Sequence, residues 1–222
     1  MKVAILQPHY LPYIGAFNLM SQVDAWVFYD DVQLEHQSWQ TRNRIKTGEG
    51  KSSWLSVPVK RGFGQKINEV QVINQLWREK HWKTIAQSYG KARCFEEVAN
   101  SMQDLVLGEW IYLADNNIYQ MKYLAECLGI NPKFYKSSEM KLSGNKTDRV
   151  LAVLKILNAD EYISGVAAKN YIEEDKFKEV KLTWFEYKCP EYPQLYGKFM
   201  PNLSVIDLIF NTGEKAGDYI RG

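Results

Sequence analysis

The strongest constraint on folding lies at residues 2–29, where two short β-prone runs flank a proline-broken loop and a helical pattern. Lys2–Leu6 is apolar and strand-like, Pro8 and Pro12 interrupt Gln7–Tyr13, and Ile14, Phe17 and Ser21 then recur at helical spacing. Asp24–Tyr29 (D-A-W-V-F-Y) is the second strand, stopping at the pair Asp30 and Asp31. Parallel strands need a long crossover, so strand, helix, strand predicts a parallel βαβ unit.

Downstream, alternation from Trp39 points Trp39, Thr41, Asn43 and Ile45 one way and Gln40, Arg42, Arg44 and Lys46 the other. Turn residues Thr47–Gly50 and a return run at Trp54, Leu55 and Val57 predict a β-hairpin. Helices are expected at Trp77–Tyr89, Phe95–Leu107 and Tyr112–Leu128, with Gly129 as the residue that ends the last of them. Pro132–Lys136 reads as a strand, Val150–Leu157 as a helix, Glu161–Ser164 as a strand and Val180–Tyr187 as the longest strand. In the final helix Ser204 is the expected N-cap with Asp207 as its capping-box partner, Leu203 and Leu208 as the staple, and Gly213 as the stop. The fold class is α/β: a mostly parallel sheet of about five strands flanked by helices, with an inserted β-hairpin and a helical insertion. Residues 1–222 form a single domain, the mainly helical insertion falling at about 62–130.

Composition narrows the functional classes. The 222 residues carry 45% hydrophobic and 24% charged side chains, a globular mixture, and the net charge of +2 lacks the basic excess of a dedicated nucleic-acid binder, so no DNA partner is expected. Cys94, Cys127 and Cys189 are odd in number and widely spaced, without a zinc or disulfide pattern, which fits reduced thiols and a cytoplasmic location. Neither a signal peptide nor a spanning helix is legible, so no membrane insertion is expected. Self-association stays open.

Ligands in such sheets bind where loops leave the C-terminal strand ends, which selects three loops. Gln7–Gly15 offers the Gln7 amide, the His9 imidazole as the best general base, and a helix start that attracts anions. The second loop begins with Asp30 and Asp31, whose adjacent carboxylates suit Mg²⁺ or a general base, and continues through Gln33, Trp39, Arg42, Asn43, Arg44 and Lys46. Arg42, Arg44 and Lys46 alternate on one side as a row of cations for phosphate or carboxylate. The third set is Ser143–Arg149 and Ser164–Tyr171. Here Lys146, Thr147 and Arg149 at a helix start call for an anion, which Asp148 supplies in part, and Ser164 and Tyr171 lie alongside. His36 and His81 have no metal-ligand spacing, and His81, between Lys80 and Trp82, reads as a surface residue.

Ordered blocks along nearly the whole chain resemble the WbqC-like family: Q-P-H-Y-L-P-Y-I-G-A-F (Gln7–Phe17), D-D-V-Q (Asp30–Gln33), S-W-Q-T-R-N-R-I-K (Ser38–Lys46), W-L-S-V-P-V (Trp54–Val59), Y-I-S-G (Tyr162–Gly165), Y-P-Q-L-Y-G-K-F (Tyr192–Phe199) and L-S-V-I-D-L-I-F-N-T-G (Leu203–Gly213). The resemblance implies a setting in bacterial O-antigen or surface-polysaccharide biosynthesis. His9 and Cys189 depart from the family's usual Asn or Thr and His. That puts more weight on Gln7, Asp30, Asp31, Gln33, Arg42, Asn43, Arg44 and Lys46. The expected activity is a transferase acting on a nucleotide-linked amino sugar by acyl or aminoacyl transfer. Asp30, Asp31, Gln7 and His9 are the catalytic candidates. Gln33, Trp39, Arg42, Asn43, Arg44, Lys46, Lys146, Arg149, Ser164 and Tyr171 would bind the phosphate-bearing substrate, and Asp30 and Asp31 any Mg²⁺. The alternatives are a nucleotidyl- or glycosyltransferase-like enzyme and a non-catalytic sugar-nucleotide-binding accessory protein.

Overall fold

The computed structural model describes residues 1–144 and 146–222; Asn145, inside the expected loop Ser143–Arg149, lies outside the described residues. The first strand, β1 (Lys2–Leu6), is followed by helix α1 (Ile14–Met20) and strand β2 (Ala25–Phe28), and β1 and β2 pair in parallel from Val3 with Ala25 to Leu6 with Phe28. All four β2 side chains are buried, as a parallel strand covered on both faces requires. Strands β3 (Arg42–Thr47) and β4 (Lys51–Ser56) form the expected hairpin, and β5 (Val59–Lys60) with β6 (Gln71–Val72) forms a second, shorter one. Helices α2 (Leu76–Tyr89), α3 (Phe95–Leu107) and α4 (Leu113–Cys127) follow. Strand β7 (Lys133–Lys136), helix α5 (Lys146–Ile156), strands β8 (Glu161–Gly165) and β9 (Lys181–Phe185), and helices α6 (Val205–Thr212) and α7 (Ala216–Arg221) complete the order.

The main sheet runs β7-β2-β1-β8-β9, with every neighbouring pair parallel. The chain winds outward from β1 to β2 and β7, crosses back, and winds outward again through β8 and β9. Strand order therefore reverses between β1 and β8. Side-chain alternation divides the core: Ala4, Trp26, Phe28 and Ile163 join the large cluster with α1, α4 and α6, while Val3, Ala25, Val27 and Tyr162 pack with Val150, Val153 and Leu154 of α5. The helices expected as an insertion share the larger core with the sheet, through Ile85, Met102 and Leu124 among others.

Three local expectations need correction. β9 has five residues, no longer than β1 or β8, because Glu186 and Tyr187 leave the sheet. His81 is buried, its Nδ1 2.8 Å from the Tyr10 hydroxyl and its ring edge-on to Trp77, because α2 turns this face to the loop after β1. The α6 capping box does not form: Ser204 makes no side-chain cap, its N–H donates instead to the Arg44 carbonyl at 2.9 Å, and the Asp207 N–H donates to the Ser204 carbonyl at 3.0 Å. With its helix end met by backbone, the Asp207 carboxylate is free to turn inward. Gly129 does end α4 as expected. At φ +68° it lets Ile130 N–H reach the Ala125 carbonyl and its own N–H reach Glu126, a Schellman closure.

Asp207, fully buried, accepts hydrogen bonds from the Tyr89 and Tyr192 hydroxyls, each at 2.8 Å. Burial pushes its pKa up, opposed by those hydroxyls and by Lys46. Lys46, also buried, donates to Gln194 Oε1 at 3.0 Å and the Lys198 carbonyl at 2.7 Å, while its backbone N–H donates to Tyr89 Oη at 3.1 Å. The group ties hairpin, α2, the 192–200 segment and α6 together. Asp207→Ala strands two buried hydroxyls and removes the negative charge that favours the Lys46 ammonium, and is expected to cost about 3 kcal/mol or more; Tyr192→Phe should cost about 1.5 to 3 kcal/mol. Urea unfolding midpoints check both, and an Asp207→Ala midpoint equal to wild type would remove this network as a structural anchor.

Candidate functional site

β1 and β8 pair through Lys2–Glu161 and Val3–Tyr162 at their N-terminal ends, while Leu6 and Gly165 at the opposite ends line a cleft of about 560 Å³. This is the crevice where the strand order reverses, the ligand position in doubly wound sheets. Its lining includes His9, the aromatic side chains of Tyr13, Phe185 and Tyr187, and Trp39, Arg44 and Asn202.

The His9 loop is held from several directions. Asn117 Nδ2, from α4, donates to the Pro8 carbonyl at 3.0 Å and the Gln40 carbonyl at 2.7 Å. Asn43 Nδ2 donates to the Leu11 carbonyl at 2.8 Å and the Tyr10 carbonyl at 3.3 Å, and the Tyr10 N–H donates to the Trp39 carbonyl at 3.0 Å. Leu11 takes a left-handed φ of 38° with its side chain fully buried, a strain that such clamping sustains. Burial lowers the His9 pKa to about 4, so the imidazole is neutral at physiological pH. Aromatic rings pack on the first turn of α1: a Cβ at Gly15 would meet the Tyr13 ring at 2.3 Å and the Tyr187 ring at 2.7 Å. They touch edge to face, centroids 6.1 Å apart.

Hairpin register explains the cationic side of the cleft. Arg44 pairs across the strands with Trp54, so both side chains share a face. The Arg42 and Arg44 guanidinium carbons lie 4.3 and 5.5 Å from the Trp54 ring centroid. Trp39, before β3 begins, joins this face and lies 5.8 Å from Trp54. Arg44 Nε is buried with no hydrogen-bond partner among the described residues, although the residue borders the cleft. Lys46, expected in the same row, belongs instead to the Asp207 network. Asn43 faces the loop it clamps.

A second cluster forms at the ends of β2 and β7. Ser138 donates to Asp30 through its N–H at 3.0 Å and its hydroxyl at 2.7 Å, and the Ser137 hydroxyl sits between Asp30 and Asp31. Arg149, from the first turn of α5, pairs with Asp31 and lies 5.6 Å from the Tyr29 ring centroid. Arg149 thus finds its anion in Asp31, joining the second and third predicted loops, whereas Asp148 pairs with Lys176 at 2.8 Å. The carboxylate oxygens considered for Mg²⁺ are engaged by these protein donors. No group of three or more His, Cys, Asp or Glu among the described residues could hold a metal ion. Gln7 accepts from the Gln40 amide, and Gln33 bridges to Lys66. Thr147 accepts from the Glu173 N–H at 3.0 Å. Ser164 is buried beside Tyr162, while Lys146 and Tyr171 are exposed.

The cleft therefore assembles His9, Trp39 and Arg44, with Arg42 adjoining through Trp54, and leaves Asp30, Asp31 and Arg149 as a separate ion-paired cluster. Sequence reasoning missed Tyr13, Tyr187, Asn202, Trp54, Ser137 and Ser138. Tyr187 and Ser137 follow strand ends and were reachable by the rule that selected the other loops. Trp54 was reachable by pairing the hairpin about its turn.

Burial also lowers the His81 pKa to about 4, against a weaker opposing effect of the Ser56 carbonyl. Both His9 and His81 sit below their unfolded value of 6.5, so the unfolded chain binds more protons between those limits. Stability is fully present above pH 6.5 and falls as the pH drops toward 4, by up to about 1.4 kcal/mol per pH unit for each histidine. Urea titrations from pH 7 to 5 are expected to lose stability with that slope, and His9→Gln and His81→Gln should each flatten it. Identical slopes in the variants and wild type would place the titration elsewhere.

The WbqC-like protein family model matches residues 7–219. A protein of Mycobacterium tuberculosis (strain ATCC 25618 / H37Rv) named Uncharacterized protein Rv1507c is 37% identical over 226 residues, an alignment covering 99% of this chain and 97% of that protein. No solved structure matches the chain at a significant level. No helix among the described residues is long and apolar enough to cross a membrane. With a family model spanning nearly its whole length and a relative aligned end to end, the chain belongs to the WbqC-like protein family.

Proposed function

We propose that the protein is a cytoplasmic transferase whose cleft takes a nucleotide-linked amino sugar, and that it transfers an acyl or aminoacyl group in surface-polysaccharide assembly. The observation that carries this reading is Arg44, a cation whose buried Nε has no hydrogen-bond partner among the described residues, at the border of an aromatic-lined crevice where the strand order reverses. Arg44, with Arg42 beside it, receives the phosphates, since guanidinium donors match phosphate oxygens in pairs. Trp39 offers a ring for stacking a base or sugar face. The sugar then points toward His9.

His9 suits the proton-transfer role better than Asp30, whose oxygens hold the serines of the β7 end. The amine nitrogen of the sugar attacks the acyl carbonyl carbon, the bond from that carbon to the donor's leaving group breaks, and the imidazole takes the proton the amine loses. A neutral histidine begins in the accepting form. Phosphates nearby favour the imidazolium and raise its basicity at the moment of need.

Thermal-shift and calorimetric titration with nucleotides and nucleotide-linked amino sugars test the reading through linked stabilisation. Arg44→Ala should weaken phosphate-ligand affinity by about 1.5 to 3 kcal/mol, roughly ten- to a hundredfold. His9→Gln should keep affinity within about threefold while abolishing label transfer from an acyl donor. Unchanged affinity of Arg44→Ala for every phosphate ligand would remove the anion site. Tight binding without turnover in the wild type would instead support an accessory protein that delivers the sugar nucleotide.

A further inference from the structure

The turn joining β5 to β6 places Phe63 entirely in solvent, at 108% relative exposure, in a chain that buries most of its large apolar side chains. This exposure is built rather than slack. Gln65 braces the turn by accepting from the Gly62 N–H at 2.9 Å and donating to the Glu69 carbonyl at 2.8 Å, and the Leu34 N–H donates to the Gln65 carbonyl at 3.0 Å. Gly64 has a φ of +68°, which a glycine adopts without strain and which turns the chain back directly after Phe63. Lys60, Arg61 and Lys66 lie within three residues of Phe63 in the chain, all exposed, and none pairs with a carboxylate among the described residues. Residues 50–68 contain no Asp or Glu, although Glu35 and Glu69 border the turn.

We propose that this turn docks the protein on the surface of an anionic lipid bilayer, Phe63 entering the interfacial layer while Lys60, Arg61 and Lys66 meet the headgroup charge. The pairing of an apolar tip with a cationic collar selects the partner. Cations alone would serve a soluble polyanion, and an aromatic alone would serve an apolar protein groove, whereas a bilayer with acidic headgroups rewards both at once. The contact is peripheral and needs no spanning segment. It stands independently of the transferase reading.

Cosedimentation of the full chain with phosphatidylcholine vesicles, with and without about one-third phosphatidylglycerol, tests the proposal. The expected result is binding to the acidic vesicles alone, weakening as salt rises. Phe63→Ser should reduce that binding about tenfold with an unchanged circular dichroism spectrum, since the side chain supports nothing beneath it. Replacing Lys60, Arg61 and Lys66 by serine should abolish the salt dependence. The proposal is overturned if acidic vesicles do not bind, if Phe63→Ser binds them as well as wild type, or if heparin binds the wild type and Phe63→Ser equally while competing fully with vesicles.

Discussion

The cleft exists because a loop rich in backbone polar groups is buried and every group must find a partner. Between β1 and α1 the chain passes beneath α4 and the first hairpin, and Pro8–Pro12 are buried there. Pro8 and Pro12 remove two donors from the account, and Asn117, Asn43, the Trp39 carbonyl and the Val205 N–H serve the remaining groups at Pro8, Tyr10, Leu11 and Pro12. Unpaired, each such group would cost on the order of 1–3 kcal/mol. This satisfaction fixes where His9 sits and lets Leu11 hold a backbone angle it would otherwise avoid. The same contacts draw the β3–β4 hairpin over the sheet, which is how Arg44 and Trp39 come to the crevice.

The Asp207 network has the complementary role on the far side of the hairpin. A buried carboxylate held by two tyrosine hydroxyls, near a buried ammonium held by an amide and a carbonyl oxygen, gives little net stability, because each charge loses its hydration; its effect is geometric, since removing Asp207 or Lys46 leaves buried polar partners unsatisfied. Lys46 and Arg44 illustrate the division. They stand two residues apart in one strand, yet one is consumed by structure and the other, bordering the cleft, has a nitrogen with no partner among the described residues. Similarly, Asp30 and Asp31 are held by Ser137, Ser138 and Arg149, so these acids lock the ends of β2 and β7 to α5.

Much of the architecture was legible because it rests on local spacing. Lys2–Leu6 is a strand as read, Phe95–Leu107 a helix with the same ends, and Gly129 a stop, since apolar periodicity and glycine's backbone freedom act over a few neighbouring residues. The capping box at Ser204 was a sound local inference that failed for a nonlocal reason: the Arg44 carbonyl, remote in sequence, takes the Ser204 N–H that the Asp207 carboxylate would have accepted. His81 failed likewise. Its charged neighbour Lys80 suggested solvent, but helical geometry turned the imidazole to Tyr10.

Sequence alone determined the α/β class, the parallel order of the opening unit, the hairpin, and the identity of the loops at strand ends, all consequences of periodicity and backbone chemistry that need no distant partner. Tertiary structure decided which polar side chains in those loops remain free. Arg44 and Lys46 look alike along the chain, and only the packing of Gln194 and Lys198, over a hundred positions away, against the hairpin engages Lys46 and leaves Arg44 Nε without a partner among the described residues; Asp31 and Arg149 likewise meet only in the fold, because a buried charge is costly unless an opposite charge or a hydrogen-bond partner is brought to it.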